Sequence, residues 1–371
     1  MAILDVFSGA AFEFLEMTDA VARMPYVPGQ LGRMGIFGGR GTRTTKLAID
    51  QKNFSVHLIP TSERGAPRHH VPHDKADTRD IVSKRIAIED NVTSEEVQDQ
   101  RQYGTDNTML SATTLTTERL SVMNQSMELT HEHMRLGMVD GVVLDANGTT
   151  ELYDWYDIWG QTDPGQEDYD LGNTSPTVDV RLMVRHQRQQ VIQASGQYVD
   201  PNTPVVAICG TDFYNKFVGN AAVSKAYDGW EANRAYLLDR SAEYSIFNEF
   251  TYGGVRWVHY RGTDDEVIDP GVGVTSEATV GMTAVDMIMF PLLSGIFEMD
   301  FAPNETLADV NQPGRRVVAQ RSFHPAGEAP TSVKLTLDSY PFPINRRPEV
   351  VRKGTTGSCW RLVGGSVRLS F

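Results

Sequence analysis

The stretch from Pro25 to Arg68, PYVPGQLGRMGIFGGRGTRTTKLAIDQKNFSVHLIPTSERGAPR, constrains the fold of this chain more than any other. Pro25, Pro28, Gly29, Gly32 and Gly35 interrupt regular structure, and an alternating strand pattern follows them. The excursion then ends in a polar, basic tip. A two-stranded ribbon of this kind is too polar on both faces to build a core of its own, so it must find burial on another surface. A neighbouring copy of the chain supplies such a surface. Assembly therefore precedes chemistry as a reading of this sequence.

Composition narrows the class. A chain of 371 residues can form roughly two to three domains, and its 40% hydrophobic and 22% charged content is that of a folded protein. The formal net charge of −14 argues against a protein that coats nucleic acid, because binding phosphates needs a basic surface. It is compatible with an acidic wall that faces DNA without adhering to it. Cys209 and Cys359 are too few for a disulfide framework or a Cys-type zinc site, which fits a reducing, intracellular origin. Asp5, Glu13 and Glu16 stand where a secretory signal would carry Lys or Arg. The longest apolar run, AVDMIMFPLLSGIF, is interrupted by Asp286 and Pro291 and is shorter than the roughly 20 residues that cross a bilayer. A soluble chain without a membrane partner is expected.

Along the chain, Leu4 to Met24 has the spacing of an amphipathic helix, with Phe7, Ala11, Phe14, Leu15, Met17 and Val21 on one face. After the Pro/Gly linker, Leu47 and Ile49 alternate with Lys46, Ala48 and Asp50. Gln51-Lys52-Asn53 is expected to turn the chain, and Val56, Leu58 and Pro60 to return it. The apolar alternation resumes at Ile81, Ile86 and Ile88. Asn91 to Asp140 is the longest helical candidate: TSEE at Thr93 to Glu96 predicts a capping box, and Leu120, Met123, Met127, Met134 and Met138 mark one face. Gly104 and the threonines at 113–117 weaken its early part.

Further on, Asp145-Ala146-Asn147-Gly148 predicts a hairpin between VVL and an aromatic strand LYDWYDIW. A helix is predicted over Val178 to Ala194, ended by Gly196, then a buried strand Val205 to Ile208 and a helix in TDFYNKFV. FNEF and VRWVHY should pair about Tyr252-Gly253-Gly254. RRVVAQRSFH, VKLTLDSYPF and PINRRPEVV read as closing strands. Helix and strand alternate without a fixed period, which makes this a mixed α+β chain and not a repeat array.

No active site emerges. GIFGGRGTRTTK is not a phosphate loop, because Lys46 is followed by Leu47 where the loop needs Ser or Thr; its glycines read as a hinge. His69, His70 and His73, beside Asp74, are the densest set of candidate metal ligands, but Pro67 and Pro72 flank them and a solvated tip is the better reading. His131-Glu132-His133 lacks the four-residue spacing that puts two histidines on one helix face, and reads as a polar helix face. The acid groups Asp154, Asp157, Glu167-Asp168 and Asp264-Asp265-Glu266 read as solvated loops. Cys209, in an apolar strand, reads as a structural thiol. No catalytic residue, cofactor or metal is assigned.

The Pro25–Arg68 segment resembles the N-terminal signature of tailed-phage major capsid proteins of the capsid protein E family. The resemblance rests on PYVPGQLGRMGIF, on Thr44-Thr45 opening KLAID, and on LIPTSERGAP. It continues through PVVAICGTDFYNKFV, FTYGGVRWVHYRG and SYPFPINRRPEVV, from about Pro25 to Val351. It departs from the family in the weak helical pattern before Leu110 and in the tail SCWRLVGGSVRLSF. The resemblance implies the Hong Kong 97-type capsid fold. Its parts would be an N-terminal arm (1–36), an extended β-hairpin loop (37–90), a peripheral domain with a spine helix (91–174 and 305–371) and an axial domain (175–304).

It also implies a non-enzymatic chain that forms pentamers and hexamers in an icosahedral or prolate shell enclosing double-stranded DNA. Scaffolding, portal and decoration proteins would be its partners, with assembly in the host bacterial cytoplasm and residence in the virion capsid. Arg64 and Arg68 would pair with a neighbour's carboxylates, since a guanidinium can grip a carboxylate bidentately. The alternatives are an encapsulin-like compartment of the same fold, a metal-dependent hydrolase using His69, His70 and His73, and a tail-tube protein.

Overall fold

A computed structural model describes residues 29–52, 76–98, 112–173, 178–196, 203–224, 249–260, 282–293, 295–307, 309–324 and 331–357. Its frame is a single long helix, α3 (Ala112–Asp140), which follows two short ones, α1 (Gln30–Arg33) and α2 (Ser94–Val97). At 29 residues α3 runs about 44 Å. Leu120, Met123, Met127, Met134 and Met138 are all buried, as their spacing predicts. They serve two different cores. Leu120, Met123 and Met127 pack with Val92, Ala319, Val333, Leu335 and Leu337, whereas Met134, Leu136, Met138 and Val139 belong to the larger core. The helix thus spans the molecule and ties two packing units together.

The smaller unit is a three-stranded antiparallel sheet in the order β12-β13-β3, formed by β12 (Val318–His324), β13 (Ser332–Ser339) and β3 (Ile86–Thr93). Its register pairs Val333 with Val92 and Leu337 with Ile88. This corrects the helix expected from Asn91, because residues 91–93 are the end of β3. Their polar character suits a strand whose outward face is exposed, and Val92 alone of the three is fully buried. The expected capping box does form, one element earlier than a continuous helix would need. The Thr93 hydroxyl accepts from the Glu96 amide and the Glu96 carboxylate from the Thr93 amide, at 3.4 Å each, and they open α2.

The larger unit is a six-stranded mixed sheet in the order β6-β15-β10-β7-β9-β8. It comprises β6 (Gln166–Asp168), β7 (Val205–Cys209), β8 (Glu249–Tyr252), β9 (Val255–His259), β10 (Asp286–Pro291) and β15 (Arg352–Thr355). β7 is buried along its whole length between antiparallel β10 and parallel β9. The helix α6 (Thr211–Gly219) covers the sheet by stacking Phe213 and Phe217 on Trp257, with ring centroids 6.2 and 4.1 Å apart. The helix α5 (Val180–Ala194) buries Val180, Val184, Gln187 and Val191, a single face, and Gly196 follows its end as expected. β8 and β9 join at Gly253-Gly254 as read from the sequence. Two of the six strands, β6 and β15, come from segments that the expected division groups with the peripheral strands.

Three smaller pairings complete the fold. β4 (Val142–Leu144) and β5 (Glu151–Asp154) form the hairpin expected about Asn147-Gly148. The aromatic strand expected there stops at Asp154, whose carboxylate accepts from the amides of Tyr156 and Asp157 and caps α4 (Trp155–Trp159). β11 (Phe297–Phe301) pairs with β14 (Pro341–Asn345), so VKLTLDSYPF is two strands parted at Tyr340. β1 (Lys46–Lys52) pairs with β2 (Ala76–Val82) along its whole length, Gln51 facing Asp77 and Lys52 facing Ala76. The turn expected at Gln51-Lys52 is therefore absent, because both residues continue the ladder. Asn53 and the expected return at Val56, Leu58 and Pro60 lie outside the described residues, as does the helix expected at Leu4 to Met24.

Candidate assembly site

Two segments follow α1, and each is docked on the body: one along β11, the other through Ile49, Ile81 and Tyr153. The first is the glycine-rich run after α1. It is not the hinge expected from its composition. Residues 38–42 lie alongside β11 as an added extended segment: the Gly38 carbonyl accepts from the Met299 amide at 2.7 Å, and the Arg40 carbonyl from the Phe301 amide at 3.0 Å. The Thr42 amide donates to the Phe301 carbonyl at 2.8 Å, and the Gly314 amide donates to the Thr42 carbonyl at 2.8 Å. Gly41 is needed for closeness, since a Cβ there would overlap the Gly314 carbonyl oxygen. The Arg40 amide and guanidinium both address the buried Asp300 carboxylate, at 3.0 and 3.5 Å. The run holds the chain against the body until β1 begins.

The second segment is the β1–β2 hairpin. Leu47 and Ile49 turn inward while Lys46, Ala48 and Asp50 are exposed, the faces read from the sequence. Ile49 and Ile81 enter the larger core, and the Tyr153 hydroxyl donates to the Val82 carbonyl at 2.6 Å. The stem is thus docked by an apolar pair and one aromatic strut. Arg64, Arg68, His69, His70 and His73, which belong to the segment beyond this stem, lie outside the described residues. Asp264-Asp265-Glu266 and Cys359 lie outside them as well.

The groups singled out as candidate chemistry that are described have structural roles. His131-Glu132-His133 is not a polar helix face: His131 and Glu132 are fully buried. The Ser339 hydroxyl donates to the Arg316 carbonyl at 2.6 Å, so its oxygen accepts from His131 Nε2 at 3.0 Å. Burial first, and then the Arg316 and Arg135 charges, push the imidazole pKa down to about 3. Arg316 in turn pairs with Glu128. Burial raises the Cys209 thiol well above its ordinary value, consistent with the structural role expected. Glu167 accepts from Gln187 at 3.1 Å, and Asp168 accepts from the Asp170 amide at 2.7 Å. Lys353, almost fully buried, pairs with Asp140 and Asp163 at 3.2 Å each and lies over the Tyr156 ring. Among the described residues no group of His, Cys, Asp and Glu side chains is placed to hold a metal ion.

The sequence reading missed two further features. Leu307 and Val310, 94% and 53% exposed, stand on the loop between β11 and β12, which an Asn304–Asp309–Thr306 hydrogen-bond cluster shapes. Val122 and Leu129 stand on the outer face of α3. Both are places where another surface could be received, and their exposure depends on tertiary packing that composition does not show.

Comparison with known proteins agrees with this arrangement. The family model of the phage major capsid protein E matches residues 13–356. The chain is 26% identical over 357 residues to the major capsid protein of Pseudomonas phage KPP10, covering 92% of this chain and 96% of that one. It is 21% identical over 358 residues to the major capsid protein of Salmonella phage Felix O1, covering 92% and 95%. Among solved structures, a prophage capsid protein (E. coli CFT073) superposes with a TM-score of 0.55 at 10% identity, covering 93% of this chain and 99% of that one. A capsid chain of cyanophage Pam1 superposes with a TM-score of 0.50 at 10% identity, covering 85% and 86%. The fold is the Hong Kong 97-type capsid fold that the resemblance implied. Both relatives are named as major capsid proteins, which supports the capsid reading over the hydrolase alternative. Matched along nearly its whole length, the chain belongs to the phage major capsid protein E family.

Proposed function

We propose that this protein is the repeating subunit of a closed icosahedral or prolate shell, built of pentamers and hexamers around packaged double-stranded DNA. The observation that carries this reading is the family match over residues 13–356, joined to a β1–β2 hairpin whose stem is docked on the body through Ile49 and Ile81. In this reading the axial domain is residues 175–304 together with β6 and β15, which its sheet recruits. The peripheral domain is the three-stranded sheet with α3 as spine. Residues 1–36 are the arm, and 37–90 the extended loop, whose last five residues run into β3 of the peripheral sheet.

The arm and loop reach neighbouring subunits, and Arg64 and Arg68 grip carboxylates there. Obligate interfaces of this class typically bury roughly 2,000–5,000 Å², so a subunit marginal alone is stable in the shell. The net charge of −14 keeps the inner wall from trapping duplex DNA, and no sequence-specific contact is required. Assembly takes place in the host bacterial cytoplasm with scaffolding, portal and decoration proteins. No helix among the described residues is long and apolar enough to cross a membrane. Electron microscopy of the expressed protein is the test. Closed angular particles are expected, whereas a discrete monomer under all conditions, or stacked open rings, would refute the reading.

A further inference from the structure

The N-cap of the four-residue helix α1 is Gly29, which offers no side chain to cap its free amides. The cap comes from 101 residues away. Glu132 Oε1 accepts from the Leu31 amide at 2.6 Å, and Oε2 accepts from the Gly32 amide at 3.2 Å. The same carboxylate receives Arg135 at 3.1 Å and the Tyr260 hydroxyl, which follows the end of β9. Gln30 adds a bond from its amide nitrogen to the His259 carbonyl at 2.7 Å. Glu132 is 3% exposed and Leu31 fully buried at this junction. Gly29 is part of it: a Cβ there would overlap the Glu132 carboxyl carbon. One carboxylate thus joins the root of the N-terminal segment, the long helix and the C-terminal end of β9 in the six-stranded sheet.

We propose that Glu132 is the positioning residue for the root of the N-terminal segment, fixing the backbone at residues 29–32 on which the arm of a shell subunit would depend. The proposal rests on the shell-subunit reading, because an aimed arm matters only where a neighbour receives it. Neutral glutamine fills the same volume but offers one acceptor oxygen, and its NH2 group confronts a backbone amide. Held where the carboxylate lies, with one amide facing each oxygen, it loses one of the two caps.

The test compares Glu132→Gln, Gly29→Ala and the double variant in the full chain, by amide hydrogen exchange on the dissociated subunit and by particle yield. Exchange at Leu31 and Gly32 should quicken at least tenfold in each single variant. The double variant should add nothing further, because both substitutions open the same junction. Glu128→Gln, which removes a carboxylate of the same helix from its half-buried pair with Arg316, should leave exchange at Leu31 and Gly32 unchanged. Closed-particle yield should fall at least tenfold in Glu132→Gln and in Gly29→Ala.

Unchanged exchange in Glu132→Gln would overturn the proposal, as would equal acceleration in Glu128→Gln or a wild-type particle yield. If Glu132→Gln does not fold, Gly29→Ala carries the same readouts without altering the buried charge. The exchange measurement needs no particles, so failure of the shell reading and failure of this proposal are separately visible.

Discussion

His131 is a base that the fold refuses to protonate. The unfolded chain takes up a proton near pH 6.5, while the folded imidazole, pushed down to about 3, does not. The stability that depends on this residue is therefore complete above pH 6.5 and falls as pH drops from 6.5 toward 3, where the unfolded chain binds the extra proton. Replacing His131 with Asn removes that proton uptake. Between pH 7.5 and 4.5 the variant should lose less stability than wild type, by on the order of 2–3 kcal/mol, in denaturant titrations of the dissociated subunit. Identical pH dependence in the two proteins would show that His131 is not held neutral by burial. Neither His131 nor Glu132 announces its role in sequence. Their decisive partners, Ser339 and Leu31, stand 208 and 101 positions away, and HEH reads like any polar helix turn.

At the scale of elements, legibility followed locality. β7, α6, the β8–β9 pair and the β4–β5 hairpin were readable, because a buried apolar run or a glycine turn declares itself within a few residues. The capping box of α2 and the methionine face of α3 were readable for the same reason. The end of β3 was not, since Asn91 and Thr93 are ordered by β13, more than 200 positions away, and their own propensities are indifferent. The run at 38–42 was misread because the pairing that makes use of its glycines is with β11. Of the assembly site, the stem faces at Leu47 and Ile49 were legible, but the basic tip could be weighed only by composition.

The two faces of α3 can be separated experimentally. Met127→Ala opens the smaller core and should cost about 2–5 kcal/mol. Val122→Ala, on the exposed face of the same helix, should stay within about 0.5 kcal/mol. Urea unfolding of the dissociated subunit checks both, and similar losses would mean that the helix is not buried on the assigned face.

For the whole molecule, the proposed loop contact has its own test. Reversing charge at Arg64 and Arg68 together should lower particle yield at least tenfold while leaving subunit unfolding unchanged. Wild-type yield by sedimentation and microscopy would remove these two residues from the interface. The order of the six-stranded sheet carries a further implication, for the chain as it is being made. β15 sits between β10 and β6 and pairs residues 353–355 with 166–168. Until the ribosome has added residues 352–355, β10 keeps one edge open and β6 has no partner. At roughly 5–20 residues per second, synthesis from residue 168 to residue 352 takes on the order of 10–40 s. Nascent chains crowded on one messenger spend that interval with an unfinished sheet, the state most exposed to pairing with the wrong copy. Completion of the six-stranded sheet and the removal of that sticky edge coincide, so a chain gains its finished body only when it has lost its best opportunity to aggregate.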